Sequence, residues 1–321
     1  MGNIQVKTGK AFEYACLNSL FEALSPAQDV QIERTPQLET AHKSFLTTSG
    51  DLSSKLIMAA NAATRVVMRL EPQLEYPDKN IPLFLSIQAD SQGQLGDVRD
   101  VLCIRKQNEW EIGLSCKHNH HAVKHSRLSA TIDFGAEWFG IPCSREYFIA
   151  IMPLFEELRV LRDNTGKTAK WSELVNKDKR FYVPVLRAFM DELRRLEKAN
   201  PLEIPGKLVK YLIGKNDFYK IITDDAHKTT RVEAINIAGT LNRPSEGRRS
   251  IVNIARLRLP TRFYSIDFKT NSETTIEVVC DEGWTISMRI HNASSNIEPS
   301  LKFDVNLISL PNTIHAQVEP W

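Results

Sequence analysis

No run of apolar residues in this chain of 321 approaches the roughly 20 needed to cross a bilayer as a helix. Its first residues, Met1 to Lys7, lack the apolar centre of a secretory signal, so a cytoplasmic protein without membrane attachment is the expectation. Cysteine is sparse and unpatterned. The five residues Cys16, Cys103, Cys116, Cys143 and Cys280 form no Cys-x-x-Cys pair, and buried thiols in a reducing compartment are the plain reading. Excess charge of one sign is missing too. A net charge of +2 neither requires nor forbids nucleic acid, because binding depends on a basic face and not on a basic total. There is no Gly-rich phosphate loop, Ser/His/Asp arrangement, paired catalytic cysteine, internal repeat or low-complexity tract. What remains is an ordinary globular composition, 42% hydrophobic and 25% charged, long enough for one large domain or two modest ones.

The informative stretch runs from Gly96-Asp97-Val98-Arg99-Asp100 through Val101–Arg105, then across Lys106-Gln107-Asn108-Glu109 to Trp110–Lys117. It reads as two strands joined by a polar turn. With a four-residue turn, Arg105 faces Trp110 and Asp100 falls opposite Ser115; a three- or five-residue turn shifts the pairing by one. Strand alternation then sets Asp100, Ser115 and Lys117 on one face. An acid beside a lysine on the next strand suits metal-dependent phosphodiester cleavage. The acid holds a divalent ion, and the lysine orients the attacking water and offsets phosphate charge.

This pattern resembles the PD-(D/E)xK nuclease core of type II restriction endonucleases, with Asp100 and Lys117 at the family's aspartate and lysine positions. Ser115 stands where the family usually has an acid, and a serine cannot replace a carboxylate as a metal ligand. Several restriction enzymes share this Ser-x-Lys form and take the carboxylate from elsewhere. Glu13 is the candidate, with Leu17, Leu20 and Leu24 following it at helical spacing; it therefore sits on an apolar stripe, where an acid is costly unless paired or cation-bound. Gly9-Lys10-Ala11-Phe12-Glu13 also resembles the helix opening that supplies a site glutamate in that superfamily. Glu111 competes, with the right face parity but six residues before Lys117.

Longer blocks resemble restriction endonucleases of the HaeIII type, namely 96–128 and 284–311, Asp133-Phe134-Gly135 with Trp138-Phe139-Gly140, and Tyr211-Leu212-Ile213-Gly214-Lys215. The resemblance implies magnesium-dependent cleavage of duplex DNA at GGCC and a companion methyltransferase that protects host DNA. A two-fold target also suits a homodimer, each subunit cutting one strand. The candidate catalytic set is Asp100, Lys117, Glu13 and Ser115, with Asp100 and Glu13 as ligands of Mg2+. Two rivals stay open: a repair or structure-specific nuclease of the same superfamily, and a non-catalytic DNA-binding descendant.

The expected fold is α/β, a mixed nuclease sheet flanked by helices with a β-rich C-terminal part. Three consecutive regions are expected: a nuclease core over 1–143, a helical region over 144–215, and a β-rich region over 216–321 that recognises DNA. Helices are expected from Lys10 to Leu24, from Ser53 to Leu70, and from Pro184 onward. Strands are expected over Pro82–Ala89, Ile251–Leu259, Phe263–Phe268, Thr275–Val279, Trp284–Ile290 and Leu301–Ile308, with a polar connection from His118 to Ser129. That connection supplies DNA-contact candidates in His118, Asn119, Lys124 and Arg127. Its clustered histidines lack the ligand set of a zinc site. Arg256 and Arg258 share a face of the expected strand; a bidentate arginine on guanine suits a GC-only target, and a solvated surface is the alternative. Asp97 is expected to shape the turn after Gly96, with a supporting metal or water contact as the alternative.

Overall fold

The computed structural model of the chain describes residues 2–75, 81–94, 96–118, 122–165, 168–246 and 248–321. The chain divides into two units interleaved along the sequence, 1–121 with 214–257 and 313–321, and 122–213 with 258–312. This differs from the three consecutive regions expected from sequence texture. Local composition follows the chain, whereas strand pairing joins segments a hundred residues apart.

The first unit opens with α1 (Gly2–Leu24), β1 (Val30–Ile32), α2 (Pro36–Leu46) and α3 (Gly50–Leu70). β2 (Leu83–Ile87) and the short α4 (Ser91–Gln94) lead to the hairpin of β3 (Val101–Arg105) and β4 (Trp110–His118). The α1 face bearing Ala11, Phe12, Leu17, Leu20 and Leu24 is buried, as its spacing requires. α3 starts at Ser49, whose side chain accepts from the Leu52 amide, and buries the small residues Ala59, Ala60, Ala62 and Ala63. α2 and β1 lie in a stretch with little apolar periodicity. Thr35-Pro36 was the available signal for α2: the Thr35 hydroxyl caps the Leu38 amide at 3.1 Å, and Pro36 takes the first helical turn.

In the second unit, β5 (Ala122–Ser129), α5 (Phe134–Phe139), α6 (Arg145–Thr165), α7 (Val183–Ala199) and α8 (Ile204–Ile213) come first in sequence. β6 (Phe218–Asp224) and β7 (Thr229–Ile235) return to the first unit; β8 (Phe263–Phe268), β9 (Thr275–Cys280), β10 (Thr285–Asn292) and β11 (Ser300–Ser309) belong to the second. β12 (His315–Pro320) closes the first. The seven-stranded sheet has the order β1-β2-β3-β4-β6-β7-β12 and is mixed, with β1–β2 and β4–β6 parallel and the other neighbours antiparallel. The second sheet, β5-β11-β10-β9-β8, is antiparallel throughout. Both sheets and their helices make the chain α/β, as expected.

Two strand expectations need correction. Part of the polar connection after Lys117 is the edge strand β5, paired with β11. Ser126 and Leu128 are buried and Arg127 is exposed, so the alternation is there, but a serine on the inward face hides it. Conversely, Ile251–Leu259 is not a strand. Its buried anchors Ile254 and Leu257 are three apart. The segment hangs on Asn236, whose amide donates to the Ile254 carbonyl at 3.2 Å and whose backbone carbonyl accepts from the Leu257 amide at 2.7 Å. Arg256 and Arg258 therefore share no strand face, and they fall in different units.

The β4 side chains alternate as the site requires. Ile112, Leu114 and Cys116 enter the core beneath α1 and α3, which leaves Glu111, Gly113, Ser115 and Lys117 to the opposite face. No helix among the described residues is long and apolar enough to cross a membrane.

Candidate active site

The β3–β4 register is the one read from the turn, with Arg105 against Trp110 and Val101 against Leu114. Lys106–Asn108 form a tight turn and Glu109 closes it with φ of 48°. On the approach to β3, Gly96 takes φ of +86°, which favours glycine. Asp97 then accepts from Arg99, its Oδ1 from Nε at 2.8 Å and its Oδ2 from Nη2 at 2.6 Å. Arg99 also pairs with Glu111, Nη1 to Oε1 at 2.6 Å. Its side chain crosses β4 at Gly113, where a Cβ would lie only 2.2 Å from Arg99 Cδ. Asp97 thus shapes the turn, and Glu111 is engaged by an arginine at the far end of the hairpin face.

Asp100 is fixed by its backbone and its carboxylate together. Its amide donates to the Leu114 carbonyl at 2.7 Å and its carbonyl accepts from the Gln88 amide at 2.9 Å. Oδ2 accepts from the Cys116 amide at 2.7 Å and from Lys117 Nζ at 3.2 Å. Burial is the largest single influence on the Lys117 ammonium and works to lower it, but Asp100, through its charge and its hydrogen bond, together with Cys116 and Glu13 holds the lysine above its ordinary pKa. Glu13 projects from α1 and is 7% exposed. Its Oε2 accepts from Lys10 Nζ at 3.0 Å, and the same ammonium reaches Asp90 Oδ1 at 2.5 Å. Burial, and then the negative charge of Asp100, push the Glu13 carboxyl up to about 8; Lys10 and Lys117 act in the opposite sense.

Glu13, Asp100 and Lys117 are thus brought within electrostatic reach of one another. Two carboxyls that repel across a gap, one retaining its proton at neutral pH, are relieved by a shared cation. Among the described residues no group of three or more His, Cys, Asp or Glu is arranged to hold a metal. Asp100 and Glu13 alone are an oxygen-only pair, which fits a hard divalent ion that keeps several of its waters.

Ser115 is 2% exposed, and in the parallel pairing of β4 with β6 it lies beside Lys220. His118 ends β4 with Nε2 at 3.0 Å from Asp225 Oδ2. Asn119 lies outside the described residues. Lys124 sits in β5 against Val305, its side chain outside the description. Arg127 faces solvent, 3.3 Å from Ser300 Oγ. Arg256 donates to the Ile237 carbonyl, and the Arg258 carbonyl accepts from Trp284 Nε1 at 2.8 Å. Arg256, within the first unit, is engaged at Ile237 and not at the Asp100 cluster. Lys10 and Lys220 do adjoin it and were not singled out from sequence. Lys10 was visible at i−3 from Glu13, whereas Lys220 becomes a neighbour only through β6.

A mixed sheet flanked by helices, with a carboxylate–ammonium pair across its central hairpin and a buried helix glutamate beside them, is an arrangement of the restriction-endonuclease class. Residues 9–311 match the model of the HaeIII restriction endonuclease family. The type II restriction enzyme HaeIII of Haemophilus aegyptius is 44% identical over 322 residues, which cover 100% of this chain and 99% of that protein. No solved structure matches the chain. The chain belongs to the HaeIII restriction endonuclease family, and is a type II site-specific deoxyribonuclease.

Proposed function

We propose that this enzyme hydrolyses phosphodiester bonds of duplex DNA at GGCC, with magnesium held by Asp100 and Glu13. The observation that carries the reading is the Lys117–Asp100 contact of 3.2 Å beside a buried Glu13. Asp100 is held rigidly by three backbone hydrogen bonds, counting those of its own amide and carbonyl and that from Cys116 to its carboxylate. Lys117 orients the attacking water and places positive charge where the phosphate gains negative charge. Glu13 would hold the ion as a carboxylate, and Lys10, 3.0 Å from its Oε2, orients that carboxylate. What magnesium supplies when bound is Lewis acidity at the phosphate and a more acidic attacking water. Ser115 stands on the same face and leaves the carboxylate role to Glu13. Glu111 is the weaker candidate because Arg99 engages it.

The GGCC target follows from similarity to HaeIII. A palindrome is served by two copies of the chain, each cutting one strand, and a methyltransferase of the same specificity protects the host. His118, Asn119, Lys124, Arg127, Arg256 and Arg258 are the proposed DNA contacts. Five free cysteines suit a reducing cytoplasm.

The test is to incubate the protein with a long duplex and magnesium, with and without chelator, and to sequence the ends. Every end should fall within GGCC, and chelator should abolish cutting. Ends at unrelated sequences would refute the target, and cutting in chelator would refute the metal requirement.

A further inference from the structure

The turn that leaves β2 reaches both of the carboxylates proposed to hold the metal. The Gln88 backbone amide donates to the Asp100 carbonyl at 2.9 Å, and its side-chain Nε2 donates to the Arg99 carbonyl at 2.9 Å. The turn is closed by the Gln92 amide on the Ala89 carbonyl, also at 2.9 Å. Within it, Asp90 Oδ1 lies 2.5 Å from Lys10 Nζ, and the same ammonium lies 3.0 Å from Glu13 Oε2. The segment 88–90 is therefore bonded directly to the backbone of Asp100 and, through one lysine, to the glutamate of α1. Burial is the largest influence on the Lys10 ammonium and works to lower it, yet Glu13 and Asp90 together hold it above its ordinary pKa. An ammonium is a point charge with three donors on a flexible stem, so a single carboxylate leaves its position loose and a second acceptor fixes it. The Asp90 side chain is 79% exposed, and an ion pair so exposed adds little stability. Its effect lies in dividing the charge of Lys10. Without Asp90 the whole ammonium would fall to Glu13, where it competes with any cation that carboxylate is to bind.

We infer that Asp90 is a positioning residue of this active site: it anchors Lys10 so that Glu13 is oriented without being fully neutralised, and the turn after β2 thereby sets Glu13 against Asp100. This inference rests on the proposed site of Asp100, Glu13 and Lys117. Asp90 acts through Lys10 and not as a ligand, so its influence on the cation site depends on that lysine.

The test is a double-mutant cycle read by magnesium affinity, measured calorimetrically on the DNA-free protein, with thermal melting in chelator as the folding check. Asp90→Asn should bind magnesium about three- to tenfold more weakly at low salt, and the difference should shrink as salt rises. Asp90→Glu keeps the charge and should recover most of the affinity. In a Lys10→Met background Asp90→Asn should change affinity by less than about twofold, because the residue it acts through is gone. Wild-type affinity in Asp90→Asn, no recovery in Asp90→Glu, or an equal loss with and without Lys10 overturns the inference. If Lys10→Met does not fold, the two Asp90 variants decide it by the first two results. Glu13→Gln run alongside separates the two levels. If wild type binds no magnesium, or Glu13→Gln binds it as well as wild type, the site reading itself fails. If Glu13→Gln loses binding while Asp90→Asn keeps it, only the role of Asp90 fails.

Discussion

Glu13→Gln should make the metal-free enzyme more stable while removing its turnover. The Glu13 carboxyl, ordinarily near 4.5, is pushed up to about 8 by burial and then by Asp100. Between those values the folded chain binds a proton that the unfolded chain has released, so stability falls as pH rises from the lower to the upper value and is level above it. Each pH unit in that window removes about 1.4 kcal/mol, or roughly 3 kcal/mol by pH 7. Glutamine keeps the shape and an acceptor for Lys10 but has no proton to lose, and a weaker bond to Lys10 returns about 1 kcal/mol. The variant should therefore gain about 2 kcal/mol at pH 7, more at pH 8.5, and almost nothing at pH 5. Urea unfolding in chelator at these three pH values measures it. Adding magnesium should narrow the gap, because a cation that binds only the folded wild type stabilises only the wild type. A variant less stable than wild type at pH 8.5, or a difference that does not change with pH, would refute the reasoning.

Lys117→Ala should bind a GGCC duplex nearly as well as wild type in gel shift but cut it on the order of a hundredfold or more slowly in single turnover. Lys117→Arg should rescue little, because a planar fork does not replace a compact ammonium. Glu111→Gln should retain most of its single-turnover rate, since Glu111 serves Arg99; a loss as large as that of Glu13→Gln would move the second carboxylate to the strand. Gly113→Ala should cost about 1–3 kcal/mol in urea unfolding, because the new methyl meets the buried Arg99 side chain at 2.2 Å; an unchanged midpoint would show that Arg99 can step aside.

The hairpin was legible because three local signals agree: a polar turn of fixed length, alternation on both strands, and an acid and a lysine on one face. Glu13 was legible for the opposite reason, as a charge on an apolar helix stripe, where a sequence breaks its own pattern. β5 is not legible locally because a serine at an inward position erases the alternation, and 251–259 resembles a strand in sequence although its buried anchors Ile254 and Leu257 are three apart. The parallel partnership of β4 with β6 was beyond local reading. Nothing in 110–118 says that 218–224 lies beside it, and Lys220 stays an unremarkable lysine until that pairing is known.

The serine at position 115 and the raised carboxyl at position 13 are two sides of one rearrangement. A carboxylate at 115 would share a strand face with Asp100 and be neutralised by Lys117 and Lys220 on either side, so it would ionise easily and bind a cation less demandingly. Moved to α1, the second carboxylate comes out of the core, and Lys10 is the ammonium paired with it. Burial and then Asp100 push that carboxyl up to about 8, so in the proposed site it would carry a proton at neutral pH until a cation binds. Metal binding must therefore release a proton, which ties cation affinity to pH more steeply than in a site whose acids are already ionised. Magnesium titrations at pH 6.5 and pH 8.5 should show tighter apparent binding at the higher pH in wild type. If affinity is the same at both, Glu13 is ionised without the metal, and the electrostatic account of this site is wrong.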